Sequence, residues 1–451
     1  MGKYKFSKFF HVFVKGNQVC LYNALTMETY YTSLKKYQEI KNQIENNKND
    51  EFNKSSIAKT LLSKMIIVSE DFDEINLLNK IREKIFNGVN IRVMVLQMTD
   101  FCNLKCKYCF IEGGQPEGYQ RQTMNTKVAR AAINKFFDIV EHDKTMNKKP
   151  TIVFYGGEPL SNWDVIKYSL AYIKKKEKEK GFFVDRVVIT NGTLITEEIA
   201  KCLKKNNVLV SVSMDGLKEI HDANRIDYNN HGSFDKAVEG LKILQNNDVE
   251  SAISCVMAKN GVENCENNVK FLIEDLGIKG LGFNHVSIIP GLNFYDKKYE
   301  EDFADAIIKV QELIQKKYPE VYERRMGHKV NSYLDKRLIK SDCTGCGEQI
   351  SVSPNGQIGI CQGYMGTRKT FNHTVFEKDF FPSNDPIFIE WSNRSPLNME
   401  VCLKCSALAT CGGGCPRNAD MINGSMWEVD SAFCHFAKKA QNWLIWQKEE
   451  K

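Results

Sequence analysis

The stretch Thr99-Asp100-Phe101-Cys102-Asn103-Leu104-Lys105-Cys106-Lys107-Tyr108-Cys109-Phe110 sets three cysteines in a C-x3-C-x2-C spacing. Three thiolates can hold three irons of a [4Fe-4S] cube and leave the fourth iron without a protein ligand. Such an iron can bind the amino and carboxylate groups of a small molecule and pass it an electron. Read alone, the spacing also fits three core cysteines or half of a zinc site. Its surroundings decide.

Outward from this loop, short apolar runs alternate with amphipathic ones. Candidate strands are Val93 to Met98, Thr151 to Tyr155, Val187 to Thr190, Val208 to Ser213, Ala252 to Met257 and Leu281 to Ile288. Between them lie helical segments such as Val128 to Val140, with Val128, Ala132, Phe136 and Ile139 on one stripe, and Val165 to Lys176. Repeated strand–helix units predict an α/β fold with a parallel sheet and a site at the C-terminal strand ends. The second strand ends in Tyr155-Gly156-Gly157-Glu158-Pro159, where two glycines allow close approach of a ligand. The third ends at Asn191 and the fourth at Ser213-Met214-Asp215-Gly216, followed by His221-Asp222-Ala223-Asn224-Arg225. His285, in the sixth strand, reads as a satisfied core residue.

Eight more cysteines fall within about ninety residues near the C-terminus: Cys343, Cys346, Cys361, Cys402, Cys405, Cys411, Cys415 and Cys434. From Cys346 the spacing is C-x9-G-x4-C through Gly356 to Cys361, then C-x2-C-x5-C-x3-C from Cys402 to Cys415. Two four-cysteine zinc sites would also use such a set.

Together these motifs, from Val93 to Cys434, resemble the radical S-adenosylmethionine enzymes, and the C-terminal array resembles the subgroup with a SPASM domain, which modifies peptides and proteins. The resemblance implies a partial (β/α)6 barrel over 87–298, a helical connector over 299–340 and a cysteine-rich SPASM domain over 341–451. It implies that Cys102, Cys106 and Cys109 carry the catalytic cube. Tyr108, Gly156, Gly157, Glu158, Asn191, Ser213, Asp215 and Arg225 would then contact S-adenosylmethionine, Arg225 by a bidentate pairing with its carboxylate. Two further [4Fe-4S] clusters are implied, one on Cys343, Cys346, Cys361 and Cys415 and one on Cys402, Cys405, Cys411 and Cys434. Cys343 and Cys346 both satisfy the first spacing.

Ahead of the barrel, His11-Val12-Phe13-Val14 and Val19-Cys20-Leu21-Tyr22 flank Lys15-Gly16-Asn17-Gln18 as a hairpin. A third extended piece, Thr29-Tyr30-Tyr31, leads into helical stretches from about Leu34 to Glu45 and Ser56 to Lys64, with another helix ending near Phe86. Residues 1–86 thus resemble a PqqD-like winged-helix recognition domain, which binds a leader peptide as an added strand. A mere cap on the barrel would give the same pattern.

The chain has 451 residues, with 62 basic against 56 acidic side chains in short mixed runs, which argues against a dedicated nucleic-acid protein. No segment approaches a membrane span or a signal peptide, so a cytoplasmic protein is expected. Fifteen cysteines in a reducing compartment suit metal ligation better than disulfides; Cys20, Cys202, Cys255 and Cys265 stand apart from the two groups. The expected function is a maturase of a ribosomally made precursor peptide. It would use a 5′-deoxyadenosyl radical, and an external reductant such as flavodoxin or ferredoxin, to form a cross-link, foremost a cysteine thioether. The alternatives are a carbon–carbon cross-linking cyclase, an anaerobic sulfatase-maturing enzyme that makes formylglycine, and a radical-free iron–sulfur or zinc scaffold.

Overall fold

The computed structural model describes residues 3–45, 52, 54–143, 149–289 and 296–447. The chain opens with a short strand β1 (Tyr4–Phe6) and the hairpin β2 (Phe10–Lys15) and β3 (Gln18–Asn23), whose turn uses Gly16 at φ +60°. β4 (Thr29–Ser33) pairs with the other side of β3, and β5 (Ile67–Ser69) pairs antiparallel with β1. This second, three-residue pairing is too short to stand out in the sequence.

Alternation along β3 covers both faces of its sheet. Val19 and Leu21 pack with Ile40, Ile44, Leu61 and Ile67 in the core of the N-terminal module. Cys20 and Tyr22 instead enter the main core of the molecule. The module is fastened there by the Tyr31 hydroxyl on the Ile445 carbonyl and by Arg82 Nε on the Leu397 carbonyl at 3.1 Å.

The main sheet contains β6 (Val93–Gln97), β7 (Thr151–Tyr155), β8 (Asp185–Thr190), β9 (Val208–Ser213), β10 (Ser251–Val256), β11 (Gly280–Asn284), β12 (Tyr322–Glu323), β13 (Gln349–Val352), β14 (Gln357–Gly359) and β15 (His373–Thr374). Its order is β12-β11-β10-β9-β8-β7-β6-β13-β14-β15, parallel from β12 to β13 and antiparallel beyond. The six strands read from the sequence are β6 to β11, side by side in chain order. A helix follows each of β6 to β9, as in Thr126–His142, capped by Asn125 accepting from Val128 N at 3.0 Å. The helix after β7 runs over Trp163–Lys180, longer than the sequence pattern, and stops at Gly181 in the left-handed region at φ +76°.

The sheet crosses both of the boundaries read from sequence at 298 and 340. Residues after the helix Lys297–Lys317 form β12, which extends the sheet beside β11. On the other side β13, in the cysteine-rich region, pairs in parallel with β6 from Gln349↔Val93 to Val352↔Leu96. Both pairings satisfy backbone groups that six parallel strands alone would leave open at their edges. The last helix, Ser431–Trp446, packs along Lys297–Lys317, with Trp443 Nε1 donating to Glu312 Oε1 at 3.0 Å. Among the described residues no helix is long and apolar enough to cross a membrane.

Candidate active site

β6 runs directly into the three-cysteine loop, which neighbouring strand ends hold by main-chain bonds. Gly157 N donates to Thr99 O and Glu158 N to Phe101 O, each at 2.9 Å, while Lys105 N donates to Ile226 O at 2.7 Å and Lys107 N to Asn224 O at 3.0 Å. A Cβ on Gly156 would lie 2.6 Å from Thr99 O, and one on Gly157 would lie 2.0 Å from Phe101 O. The two glycines are therefore required by the close approach of the cysteine loop itself, a partner that the sequence reading did not foresee.

Cys102, Cys106 and Cys109 come together above the sheet. Burial raises all three thiol pKa values, that of Cys106 to about 11, and repulsion from neighbouring thiols adds to the rise at Cys102 and Cys106. Donors set against sulfur act the other way. Leu104 N lies 3.4 Å and Asn191 Nδ2 3.8 Å from Cys102 Sγ, and Arg225 Nη1 lies 4.0 Å from Cys106 Sγ. Such groups favour a metal-bound thiolate and tune a cluster's potential. Tyr155, at the end of β7, lies within the electrostatic reach of all three thiols; only its place at a strand end hinted at this.

Below the loop, Asp215 is fully buried. It accepts from Val256 N at 3.1 Å and from the Tyr108 hydroxyl, and Arg225 Nε lies 3.1 Å from its Oδ1. Arg225 thus spans from Asp215 to Cys106, and Tyr108 points into the protein beneath it. Glu158 is equally buried, its carboxylate occupied by Leu160 N, Thr190 Oγ1 and Asn191 N. Tyr108, Glu158 and Asp215 therefore carry protein partners and position their neighbours. Ser213 is half-buried at the end of β9, and Asn191 reaches the cysteine loop through Asn103 Oδ1 at 2.9 Å. His221 is held neutral by burial and by nearby Arg225 and Lys218, its pKa lowered to about 3. His285 is half-buried, with Nδ1 3.0 Å from the Val286 carbonyl oxygen.

The C-terminal cysteines assemble in two groups. Cys343 is within electrostatic reach of Cys361 and Cys415, and Cys346 of Cys343 and Cys361. Cys402 is within reach of Cys405 and Cys434, and Cys411 of Cys405 and Cys402. Gly412, Gly413 and Gly414 all have positive φ, at +77°, +85° and +67°, a run open to glycine alone, and they carry the chain from one group to the other between Cys411 and Cys415. Gly363 N on Cys361 Sγ at 3.2 Å and Gly413 N on Cys411 Sγ at 3.4 Å direct donors at sulfur in each group.

Iron–sulfur cubes fit this donor set. Among the described residues no three Cys, His, Asp or Glu side chains converge to hold one metal ion. A cube asks for no such point, because each thiolate binds a different iron. Lys329, Arg394 and Arg417 are buried around the two groups, with no carboxylate in ion-pair range among the described residues. Buried cations need negative charge nearby; beyond ion-pair range Asp342 acts on Lys329 and Asp420 on Arg417, and a cube carrying four thiolates would add to it. The sequence reading missed these three residues. It also missed Arg368, which crosses from the C-terminal region to Asp100 Oδ1 at 2.9 Å. A cation's destination in space leaves no local pattern.

Fold and site define an α/β enzyme that gathers a three-cysteine loop and polar strand ends at the C-terminal edge of a parallel sheet. Residues 96–272 match the family model described as the Radical SAM superfamily, and the chain carries a radical SAM domain. The radical SAM cyclopropyl synthase TigE of Paramaledivibacter caminithermalis is 27% identical over 372 residues, 79% of this chain and 74% of that protein. A cysteine-type anaerobic sulfatase-maturating enzyme of Clostridium novyi is 29% identical over 379 residues, 77% of this chain and 94% of the enzyme. The crystal structure of Streptococcus suis SuiB bound to precursor peptide SuiA shares the fold, with TM-score 0.56 and 17% identity over 96% of this chain and 100% of SuiB.

Proposed function

We propose that this chain is a radical S-adenosylmethionine maturase of a ribosomally made precursor peptide, and that it forms an intramolecular cross-link, foremost a cysteine thioether. The observation that carries this reading is the N-terminal module. Among the described residues β2 is paired only with β3, which leaves its outer edge open to an added strand, and the module shares one core with the cysteine-bearing regions. The fold likeness to SuiB, at 96% of this chain, takes in most of that module, whereas the match to the Clostridium novyi enzyme stops at 77%.

When bound, the cube and S-adenosylmethionine supply a 5′-deoxyadenosyl radical that abstracts hydrogen from the peptide. Cys102, Cys106 and Cys109 hold that cube, and the strand ends at Gly156, Asn191 and Ser213, with Arg225, face the cofactor. Glu158 and Asp215 keep Asn191 and Arg225 in place. The two C-terminal groups, Cys343, Cys346, Cys361 and Cys415 and then Cys402, Cys405, Cys411 and Cys434, would hold further cubes able to carry electrons, and an external reductant such as flavodoxin or ferredoxin would be the redox partner.

A second reading is formylglycine formation, favoured by the match over 94% of the Clostridium novyi enzyme. Anaerobic reconstitution with a cysteine-containing candidate precursor peptide separates the products by mass and thiol alkylation. A thioether removes two hydrogens and blocks the thiol; a carbon–carbon link removes two hydrogens and leaves it free; formylglycine made from cysteine exchanges sulfur for oxygen and also removes two hydrogens. Release of no 5′-deoxyadenosine would leave a scaffold.

A further inference from the structure

Arg394 is the largest of the fully buried side chains, and no carboxylate lies within ion-pair distance of it among the described residues. It follows Ser392 and Asn393, which close the short helix Pro386–Ser392. Its guanidinium is aimed entirely at main chain: Nη1 donates to Gly413 O at 2.7 Å, Nη2 to Glu428 O at 3.0 Å and Nε to Met426 O. Gly413 is the middle of the turn joining Cys411 of one cysteine group to Cys415 of the other. The positive charge also reaches Cys346 in the first group and Cys402 in the second.

The other charged groups nearby act on one group only: Lys340 reaches Cys346 in the first, and Lys438 reaches Cys402 and Cys434 in the second. Lys329 donates to Thr410 O at 3.0 Å and Cys411 O at 3.2 Å on the second group's side, and Arg417 donates to Ile288 O at 3.0 Å on the first group's side. Asp430 accepts from Cys415 N at 3.0 Å, and Asp342 lies near Cys343 and Cys346.

We propose that Arg394 is the shared counter-cation of the two C-terminal iron–sulfur cubes, a positioning residue that raises the reduction potential of both. The inference rests on the two-cube reading above. Reduction adds negative charge to a cube, and a cation fixed in a low-dielectric interior favours the more negative state. Because Arg394 sits on the turn between the groups, its removal should lower both potentials together, whereas loss of Lys329 or Arg417 should act mainly on one.

The test is an EPR-monitored redox titration of the reconstituted full chain and of its Arg394→Gln and Arg394→Lys variants, with iron counted in each. The expected result is a fall in both C-terminal potentials in Arg394→Gln, by at least tenfold in the reduction equilibrium or about 59 mV for one electron. Arg394→Lys should stay near wild type. A glutamine variant that holds both cubes with unmoved potentials, or with only one moved, overturns the proposal. If glutamine prevents cube assembly, lysine decides. Cubes at wild-type potential support the charge role, and shifted potentials or lost cubes reduce Arg394 to a main-chain tether. Iron near four atoms per wild-type chain would instead sink the two-cube reading itself.

Discussion

Glu158 at the end of β7 holds Asn191 at the end of β8 through a carboxylate removed from solvent. Its Oε2 accepts Asn191 N at 2.8 Å, and its Oε1 accepts Thr190 Oγ1 at 2.7 Å and Leu160 N at 3.0 Å. Asn191 in turn reaches Asn103 in the cysteine loop, so one buried group ties two strand ends to that loop.

Burial raises the Glu158 pKa from 4.5 to about 7 against the pull of those hydrogen bonds. The unfolded chain therefore gives up this proton first. The group's contribution to stability is complete below pH 4.5 and is lost as pH rises through about 7, a change of roughly 3 kcal/mol. Urea unfolding between pH 5 and 8 should show this fall in wild type and not in Glu158→Gln. Parallel pH profiles for the two proteins would contradict it.

Asp215 is the only carboxylate in ion-pair range of Arg225 among the described residues. Removing one partner of a buried pair costs about 3–5 kcal/mol, because the other charge stays behind. Asp215→Asn should therefore unfold at clearly lower urea concentration. Tyr108→Phe, which deletes one hydrogen bond to the same carboxylate, should cost less, about 1.5–3 kcal/mol. Equal losses in the two variants would show that the pair is not what holds this layer together.

Three cysteine groups predict three separable losses of iron. Replacing Cys102, Cys106 and Cys109 by alanine should remove about four irons per chain, from four per cube, and abolish 5′-deoxyadenosine release. Cys415→Ala and Cys411→Ala should each disturb a different C-terminal cube and leave cofactor cleavage in place, with cross-linked product lost in Cys415→Ala. Iron analysis, EPR and product mass check all three. Wild-type product from Cys415→Ala would mean that the second electron leaves elsewhere.

Along an antiparallel strand, main-chain N–H groups point alternately to each side. One of Val12 and Phe13, opposite Leu21 and Cys20, therefore directs its N–H to the open edge of β2. Val12→Pro and Phe13→Pro test the two sides, since proline removes that donor. The substitution that spares the hairpin should keep thermal stability and uncoupled 5′-deoxyadenosine release, yet bind a labelled precursor about tenfold more weakly, from loss of about one hydrogen bond. Unchanged precursor binding in a folded variant of this kind would leave the module as a cap.

Some features needed only local sequence. The C-x3-C-x2-C loop, the six apolar strand runs and the stripe on Thr126–His142 are short-range patterns, because strand and helix periods repeat within a few residues. Tertiary structure decided what distance along the chain conceals. β13 joins β6 across more than two hundred residues, so the cysteine-rich region shares the main sheet although nothing near residue 340 signals it. Gly412 to Gly414 are visible as a glycine run, but which thiols they separate depends on how Cys343, Cys361 and Cys434 return in space. The buried cations Lys329, Arg394 and Arg417 read as ordinary surface residues in one dimension. Only the fold places them against two cysteine groups, because what neutralises a charge is set by three-dimensional neighbours and not by its position in sequence.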